Sequence, residues 1–275
     1  MVKQVFTLHR DTGHSGLPGK LSVIIGTRHI GFAITNNAGD EVYELALQSG
    51  EMTDGPALES WYRQYPVLHG PFQKISVCYD FPQSLLIPQA EWKEETDTKQ
   101  LVQAVYGAGG KEVAVTEQVG SWQISNAYTI RKEIYDSLQQ FFPAHHYWHG
   151  YTLAIRDIDT TGFEGLLNVV IRSEEFLLIV SKGNKFLLAQ TFEYASPADV
   201  IYYLLQVCQQ FKLSQEAVRV QLSGLIDQGS ALYRELEQYF LHTQFRQPSW
   251  IASAGSDEYP AHFFTPINDL ARCAL

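Results

Sequence analysis

The chain has 275 residues, 45% apolar and 18% charged, a composition that excludes disorder. That length is generous for one compact unit and comfortable for two lobes. A formal net charge of −10 without any Lys/Arg run argues against unspecific binding to nucleic acid or an anionic membrane.

Residues 11–19 (Asp-Thr-Gly-His-Ser-Gly-Leu-Pro-Gly) read as a loop by their Gly, Pro and Ser content. Strands follow at Lys20 to Gly26, at Ile30 to Thr35 after a Thr27-Arg28-His29 turn, and at Glu41 to Gln48 after Asn36-Asn37-Ala38-Gly39-Asp40. In the third, Val42, Glu44 and Ala46 alternate with Tyr43, Leu45 and Leu47, as in a half-buried strand. Pro56 to Tyr65 makes a short helix with Pro in its first turn, and Lys74 to Asp80 and Gln83 to Ile87 are strands. Gln89 to Tyr106 starts acidic and ends apolar, as a helix does, and Gly107 to Gly110 stops it. Lys111 to Glu117 pairs with Ser121 to Ser125, Thr129 to Phe142 is a helix, and Ala144 to His149 is a strand.

The second half repeats the opening order. Strands at Leu167 to Arg172, Glu175 to Ser181 and Lys185 to Tyr194 precede a helix from Pro197 to Phe211, capped by Ser196. A strand at Ala217 to Leu222 and an amphipathic helix at Ser230 to Tyr239 complete it. The order β-β-β-α-β thus occurs twice, with matching starts 147 residues apart (Lys20, Leu167) and 143 apart (Lys74, Ala217). A repeat at that spacing is a duplicated domain, not a solenoid of short units. The expectation is an α/β protein with mixed sheets and two lobes, 1–150 and 151–275.

Cys78, Cys208 and Cys273 are far apart and lack metal-ligand spacing, so they read as buried thiols in a reducing compartment. Met1 to Leu21 has no apolar core of a signal peptide, and no stretch approaches the roughly 18 apolar residues that span a bilayer. The expected location is the cytoplasm, without membrane insertion.

Two strand triplets, each followed by a helix and a strand, resemble the actin-like ATPase fold of sugar kinases, heat-shock 70 chaperones and actin, a ribonuclease H-like architecture. The run Ile75 to Asp80, then Leu85-Leu86-Ile87-Pro88 before Glu91, is similar to the cytoplasmic actin-like domains of pilus-assembly and type II secretion platforms. The layout also resembles a bacterial family of actin-like proteins of unassigned function. Active members carry an Asp-x-Gly-Thr run at the first hairpin, whose Asp organises Mg²⁺ and water. Here Gly26 and Thr27 match that run, but Ile24 stands at the Asp position. An isoleucine offers no oxygen, and Mg²⁺ requires oxygen ligands. At the second hairpin, Ile171-Arg172-Ser173-Glu174 lacks both the Asp and the Gly, and Glu174 repels phosphate. The adenosine turn of the resemblance falls on Leu222-Ser223-Gly224.

The resemblance therefore implies a nucleotide cleft at Gly26, Thr27, Arg28, Ser173, Ser223 and Gly224, with ATP and Mg²⁺ as the ligands of active members. The residues here assign no catalytic group, no metal ligand and no cofactor. The leading expectation is a degenerate actin-like protein that binds another protein, with a homodimer as one form. The alternative is a kinase or ATPase with relocated acids, among them Asp40, Asp80, Asp157, Asp159 and Asp227; Asp80 and Asp157 lead that set. Asp80 reads first as a turn former at a strand end, and Asp157 and Asp159 as a polar linker. Arg28 and His29 read as a solvated turn, and His145, His146 and His149 as ordinary strand histidines. A third reading is a small-molecule module built on Trp122, Trp148 and Tyr151.

Overall fold

The computed structural model describes residues 4–9, 19–51, 54–93, 97–107, 109–156, 158, 163–250 and 259–273. The chain divides into two compact units, Met1–Arg156 with Ile267–Leu275, and Asp157–Pro266. The expected lobes ended at 150 and 275, so residues 151–156 and 267–275 fall with the first unit instead of the second.

The first unit holds a six-stranded sheet, made of β1 (Gln4–His9), β2 (Lys20–Gly26), β3 (His29–Thr35), β4 (Val42–Ser49), β5 (Lys74–Asp80) and β9 (His146–His149). Its order is β1-β4-β3-β2-β5-β9. Strands β2, β3 and β4 pair antiparallel, while β5 joins β2 in parallel through the crossover helix α1 (Gly55–Gln64). Asp54 caps α1 by accepting the Ala57 N–H at 2.9 Å, and Pro56 sits in its first turn, where the missing N–H costs nothing. Every residue of β2 and β3 is buried, in keeping with their mostly apolar sequences. A second, three-stranded sheet is ordered β6-β8-β7, from β6 (Ser84–Pro88), β7 (Glu112–Val119) and β8 (Ile124–Arg131). Helices α2 (Thr98–Tyr106), α3 (Lys132–Phe141) and α4 (Gly150–Arg156) belong to the same unit. Trp61, Phe32, Tyr79, Tyr128 and Phe142 anchor its core.

The second unit holds β10 (Gly165–Ile171), β11 (Glu175–Lys182), β12 (Lys185–Glu193), β13 (Val218–Gly224) and β14 (His242–Phe245), ordered β12-β11-β10-β13-β14. This matches β4-β3-β2-β5-β9 strand for strand, with the same antiparallel triplet and the same parallel addition. The duplication is therefore present in the topology, and the fold is mixed α/β. Helix α5 (Pro197–Phe211) is the crossover here; Asp199 accepts the Ser196 N–H at 2.8 Å, closing a capping box. Helix α6 (Ala231–Tyr239) follows β13, and α7 (Thr265–Cys273) ends the described chain. Among the described residues, no helix is long and apolar enough to cross a membrane.

Several expectations need correction. The acidic-to-apolar run from Gln89 is not one helix: a short 3-10 turn covers Gln89–Glu91, and α2 begins at Thr98, where Asp97 accepts the Gln100 N–H at 3.1 Å. The helix expected from Thr129 begins at Lys132, because Thr129 to Arg131 continue β8 opposite Ala114 to Glu112. Strands β1 and β14 and helices α4 and α7 were not among the expected elements. The loop read at residues 11–19 lies outside the described residues except for Gly19.

Candidate functional site

Strand β2 ends at Gly26, whose parallel partner in β5 is Asp80. The chain bends at Thr27-Arg28 and re-enters the sheet at His29. His29 Nε2 lies 3.0 Å from Asp80 Oδ2, and both residues are buried, at 8% and 3% exposure. The turn admits this pair because residue 26 has no side chain. A Cβ on Gly26 would stand 2.2 Å from His29 Cε1 and 2.8 Å from the Asp80 carbonyl oxygen. A second glycine closes the other side, since a Cβ on Gly150, at the start of α4, would stand 2.1 Å from Asp80 Oδ1. Asp80 is thus a buried strand residue and not a turn former, and His29 is not part of a solvated turn. Sequence spacing carried no signal for the pair, because 51 residues separate its members.

A second polar cluster joins the three-stranded sheet to α4. Glu117 accepts a hydrogen bond from the Tyr128 hydroxyl at 2.5 Å and one from the His149 backbone N–H at 3.1 Å. Burial pushes the Glu117 carboxyl above its ordinary 4.5, while bonds from Tyr128, Thr152 and His149 pull the other way. His149 Nδ1 accepts the Tyr151 N–H at 3.1 Å, so Nε2 carries the proton and donates it to the Phe81 carbonyl at 3.1 Å. Asn126 Nδ2 donates to Thr152 Oγ1 at 3.0 Å, and Ser84 Oγ donates to Asn126 Oδ1. None of these residues was singled out as polar core from the sequence; their pattern of strand residues at β6, β7 and β8 carried the only hint.

A cavity of about 360 Å³ opens beside Thr27. Phe81, Gln83, Tyr106, Thr129 and Arg131 share its wall. Its size falls within the range of ligand pockets. Thr27 is the sequence-predicted residue that lines it.

In the second unit, Arg172 follows β10 and donates from Nη1 to Glu175 Oε1 at 3.1 Å, at 11% and 5% side-chain exposure. The Arg172 carbonyl accepts the Tyr194 hydroxyl at 2.6 Å. Ser173 is half-buried in this turn. Ser223 is fully buried and lies opposite Val170, and Gly224 lies opposite Ile171. Gly224 has φ +78°, and a Cβ there would stand 2.1 Å from the Ile171 carbonyl oxygen. The structure thus brings Gly26, Thr27, Arg28 and Asp80 to one strand end of the first unit, and Ser173, Ser223 and Gly224 to the matching end of the second.

The other acids are placed differently. Asp40 is exposed and accepts from the Asn36 amide at 2.6 Å, and Asp227 is exposed and accepts the Gly229 N–H at 2.7 Å. Asp157 and Asp159 lie outside the described residues. The histidines are individually engaged: His145 Nδ1 meets the Phe142 carbonyl at 2.7 Å, and His146 is exposed. Among the described residues, no three His, Cys, Asp or Glu side chains converge as metal ligands would. The aromatic trio does not line the cavity. Trp122 Nε1 donates to the Ile155 carbonyl at 3.0 Å, Arg156 covers the Trp148 ring at 5.5 Å, and Tyr151 packs edge-on to His149.

Residues 15–243 match the family described as protein of unknown function DUF3822. No curated protein matches the chain. Among solved structures, a Bacteroides thetaiotaomicron protein of unknown function with an actin-like ATPase fold superposes at TM-score 0.75 and 19% identity, covering 92% of this chain and 95% of that one. The PilM–PilN type IV pilus biogenesis complex gives 0.59 at 10% identity, over 93% and 98%. The ethanolamine utilization protein EutJ of Carboxydothermus hydrogenoformans gives 0.50 at 10% identity, over 92% and 89%. These likenesses show an actin-like ATPase fold.

Proposed function

The chain belongs to the DUF3822 family, and from that premise we propose that it is a catalytically degenerate actin-like protein acting by binding a protein partner. One observation carries the reading. The acid expected at the first hairpin is replaced by Ile24, a buried residue of β2, and the carboxylate nearest that turn, Asp80, is turned inward onto His29 and Gly150. Mg²⁺ takes oxygen ligands and keeps several waters, whereas the Asp80 carboxylate is buried with Oδ2 engaged by His29. The second hairpin supports the same reading, since Arg172 and Glu175 pair with each other there. The cavity beside Thr27 offers hydroxyls, an aromatic wall and the Arg131 guanidinium to a partner group. A solved structure of the same layout, at TM-score 0.59, is a complex of two pilus-biogenesis proteins.

Thermal-shift and calorimetric titration with ATP and ADP, with and without Mg²⁺, tests the loss of nucleotide chemistry. Ligand at about 100 times its Kd stabilises a folded protein by roughly 2.7 kcal/mol. No Mg²⁺-dependent shift is expected at millimolar nucleotide. A clear shift would return the protein to the nucleotide enzymes. The binding half is tested by affinity capture with the native chain and with Thr27→Trp, which fills the cavity mouth. A partner held by the first and released by the second, with unchanged circular dichroism, supports the reading; equal capture moves the surface elsewhere.

A further inference from the structure

The cavity beside Thr27 lies wholly within the first unit. Its wall is built from the turn after β2, the segment after β5, the end of α2, and the strand ends that carry Glu112 and Arg131. Thr129 and Arg131 are two apart on β8, so they project from one face of the strand, while Tyr128 and Ile130 point into the core on the other. Arg131 lies directly opposite Glu112 in the β7–β8 register, where unlike charges ordinarily pair. They do not pair here. The Glu112 carboxylate accepts the Gln103 side-chain amide at 3.1 Å, and among the described residues the half-buried Arg131 guanidinium has no hydrogen bond or ion pair. The Thr27, Gln83 and Thr129 side chains on the same wall have no hydrogen bond either.

The rest of the wall is apolar. Phe81 and Val102 are buried, and Tyr106 is 45% exposed with its hydroxyl donating to the Ser84 carbonyl at 2.9 Å. The tyrosine is fixed at its tip and open along its ring, which suits an apolar group laid on it. An unpartnered cation beside neutral donors calls for an anion, and the planar guanidinium fork matches a carboxylate. Glu112 on the same wall disfavours a dianion such as a phosphate monoester, since one guanidinium would have to offset two charges beside a third. We propose that this cavity takes a carboxylate of the partner chain, clamped by Arg131, with a neighbouring apolar side chain of that partner on the Tyr106 ring. The proposal rests on the reading of the cavity as the partner's seat and names the group that enters it.

Amide NMR of the full chain tests this with acetyl-alanyl-phenylalanine, its carboxamide, and acetyl-aspartyl-phenylalaninamide as probes. The acids are expected to move the Thr27, Thr129 and Arg131 amide signals at millimolar concentration, and the carboxamide to bind about tenfold or more weakly. Tighter binding of the first acid places the partner's carboxylate at its chain end; tighter binding of the aspartyl probe places it on a side chain. Arg131→Gln is expected to bring both acids down to the carboxamide's affinity and to leave the carboxamide unchanged. Arg131→Lys is expected to recover part of the difference, because an ammonium keeps the charge and loses the fork. No movement of those signals by either acid, or equal affinity for acid and carboxamide in the native chain, overturns the proposal without any variant. Phenyl phosphate binding more tightly than phenylacetate also overturns it, in favour of a dianion. The proposal and the partner reading fail separately. Release of a captured partner by Thr27→Trp, with full capture by Arg131→Gln, keeps the cavity as the seat and removes the carboxylate clamp. Carboxylate binding through Arg131, with capture untouched by Thr27→Trp, removes the partner chain from the cavity and overturns the proposal by making the ligand a free acid.

Discussion

In the first sheet the turn after β2 rests on a His29–Asp80 pair brought together from two strands; in the second, the turn after β10 rests on Arg172–Glu175, three residues apart. The strand order is the same in both. The first turn depends on missing side chains at Gly26 and Gly150, which leave room for an imidazole and a carboxylate. The second depends on the left-handed Gly224, which lets the chain after β13 wrap the Ile171 carbonyl; the Leu225 N–H donates to that oxygen at 2.8 Å. A repeated topology thus constrains where the turns lie and leaves open what fills them. The two fillings also differ in reach, one pair tying two strands together and the other bracing a single turn.

The comparison breaks most sharply at the pairs. Asp80→Ala takes the carboxylate from buried His29, and Arg172→Ala takes the guanidinium from buried Glu175; removing one member of a buried pair costs about 3–5 kcal/mol. Both are expected at the upper end of point-mutant effects in urea unfolding. Hydrogen exchange separates them: the first variant loosens β2 and β5, the second β10 and β11. Equal loosening of both sheets in either variant would refute a local role for that pair. Next, Gly224→Ala is expected to cost about 3 kcal/mol, since strained backbone positions run to that size and the new Cβ meets a carbonyl oxygen. Gly26→Ala is expected to cost a comparable amount, because the new Cβ meets the buried His29 ring at 2.2 Å and the Asp80 carbonyl oxygen at 2.8 Å.

Acidity sharpens the contrast further. The folded Glu117 carboxyl titrates above the unfolded 4.5, so its contribution to the first unit is whole below 4.5 and is lost as pH rises through the folded value. Glu117→Gln keeps an acceptor for Tyr128 and is expected to flatten the decline of the melting temperature as pH rises above 4.5. His262 behaves oppositely. Burial lowers it from 6.5, and its Nε2 lies 2.6 Å from the Ile226 carbonyl. The second unit therefore holds that contribution above 6.5 and loses it as pH falls through the folded value. His262→Gln is expected to remove the acid-side loss. His145, also lowered by burial, adds an acid-side loss to the first unit, so the Glu117→Gln profile is read against the native chain at each pH. The smallest effect serves as baseline: Lys132→Ala breaks an exposed pair with Asp136, and such pairs are worth about 0.5 kcal/mol or less.

Much of the architecture was legible in the sequence, and for physical reasons. The strand Lys74 to Asp80 and the helix from Pro197 to about Phe211 were read correctly, the helix by the Ser196 cap, Pro197 and its apolar face at Val200, Leu204 and Val207. The error at Thr129 came from Ile130, Ile134 and Leu138, which keep a helical spacing while the chain is still a strand. The ladder opposite β7 decides that, and a ladder is not local. Strand β14 is four residues with two of them exposed, too short to alternate visibly. At the turn, Gly26 and Thr27 were found by motif, but the buried pair beneath them joins residues on strands brought together only by folding. Helix α4 escaped because it is short and opens on Gly150, a poor helix former whose missing side chain makes room for Asp80.

The closing helix carries one more consequence. A Cβ on Gly39, at φ +75°, would stand 2.8 Å from the Ala271 carbonyl oxygen, so α7 lies against the turn between β3 and β4. Leu270 and Ala271 are fully buried there, in the unit to which the opening strands also belong. On the ribosome, the unit synthesised first is thus the one completed last. It must wait with that seam open until the other has been made, and loss of α7 would be felt at the turn between β3 and β4.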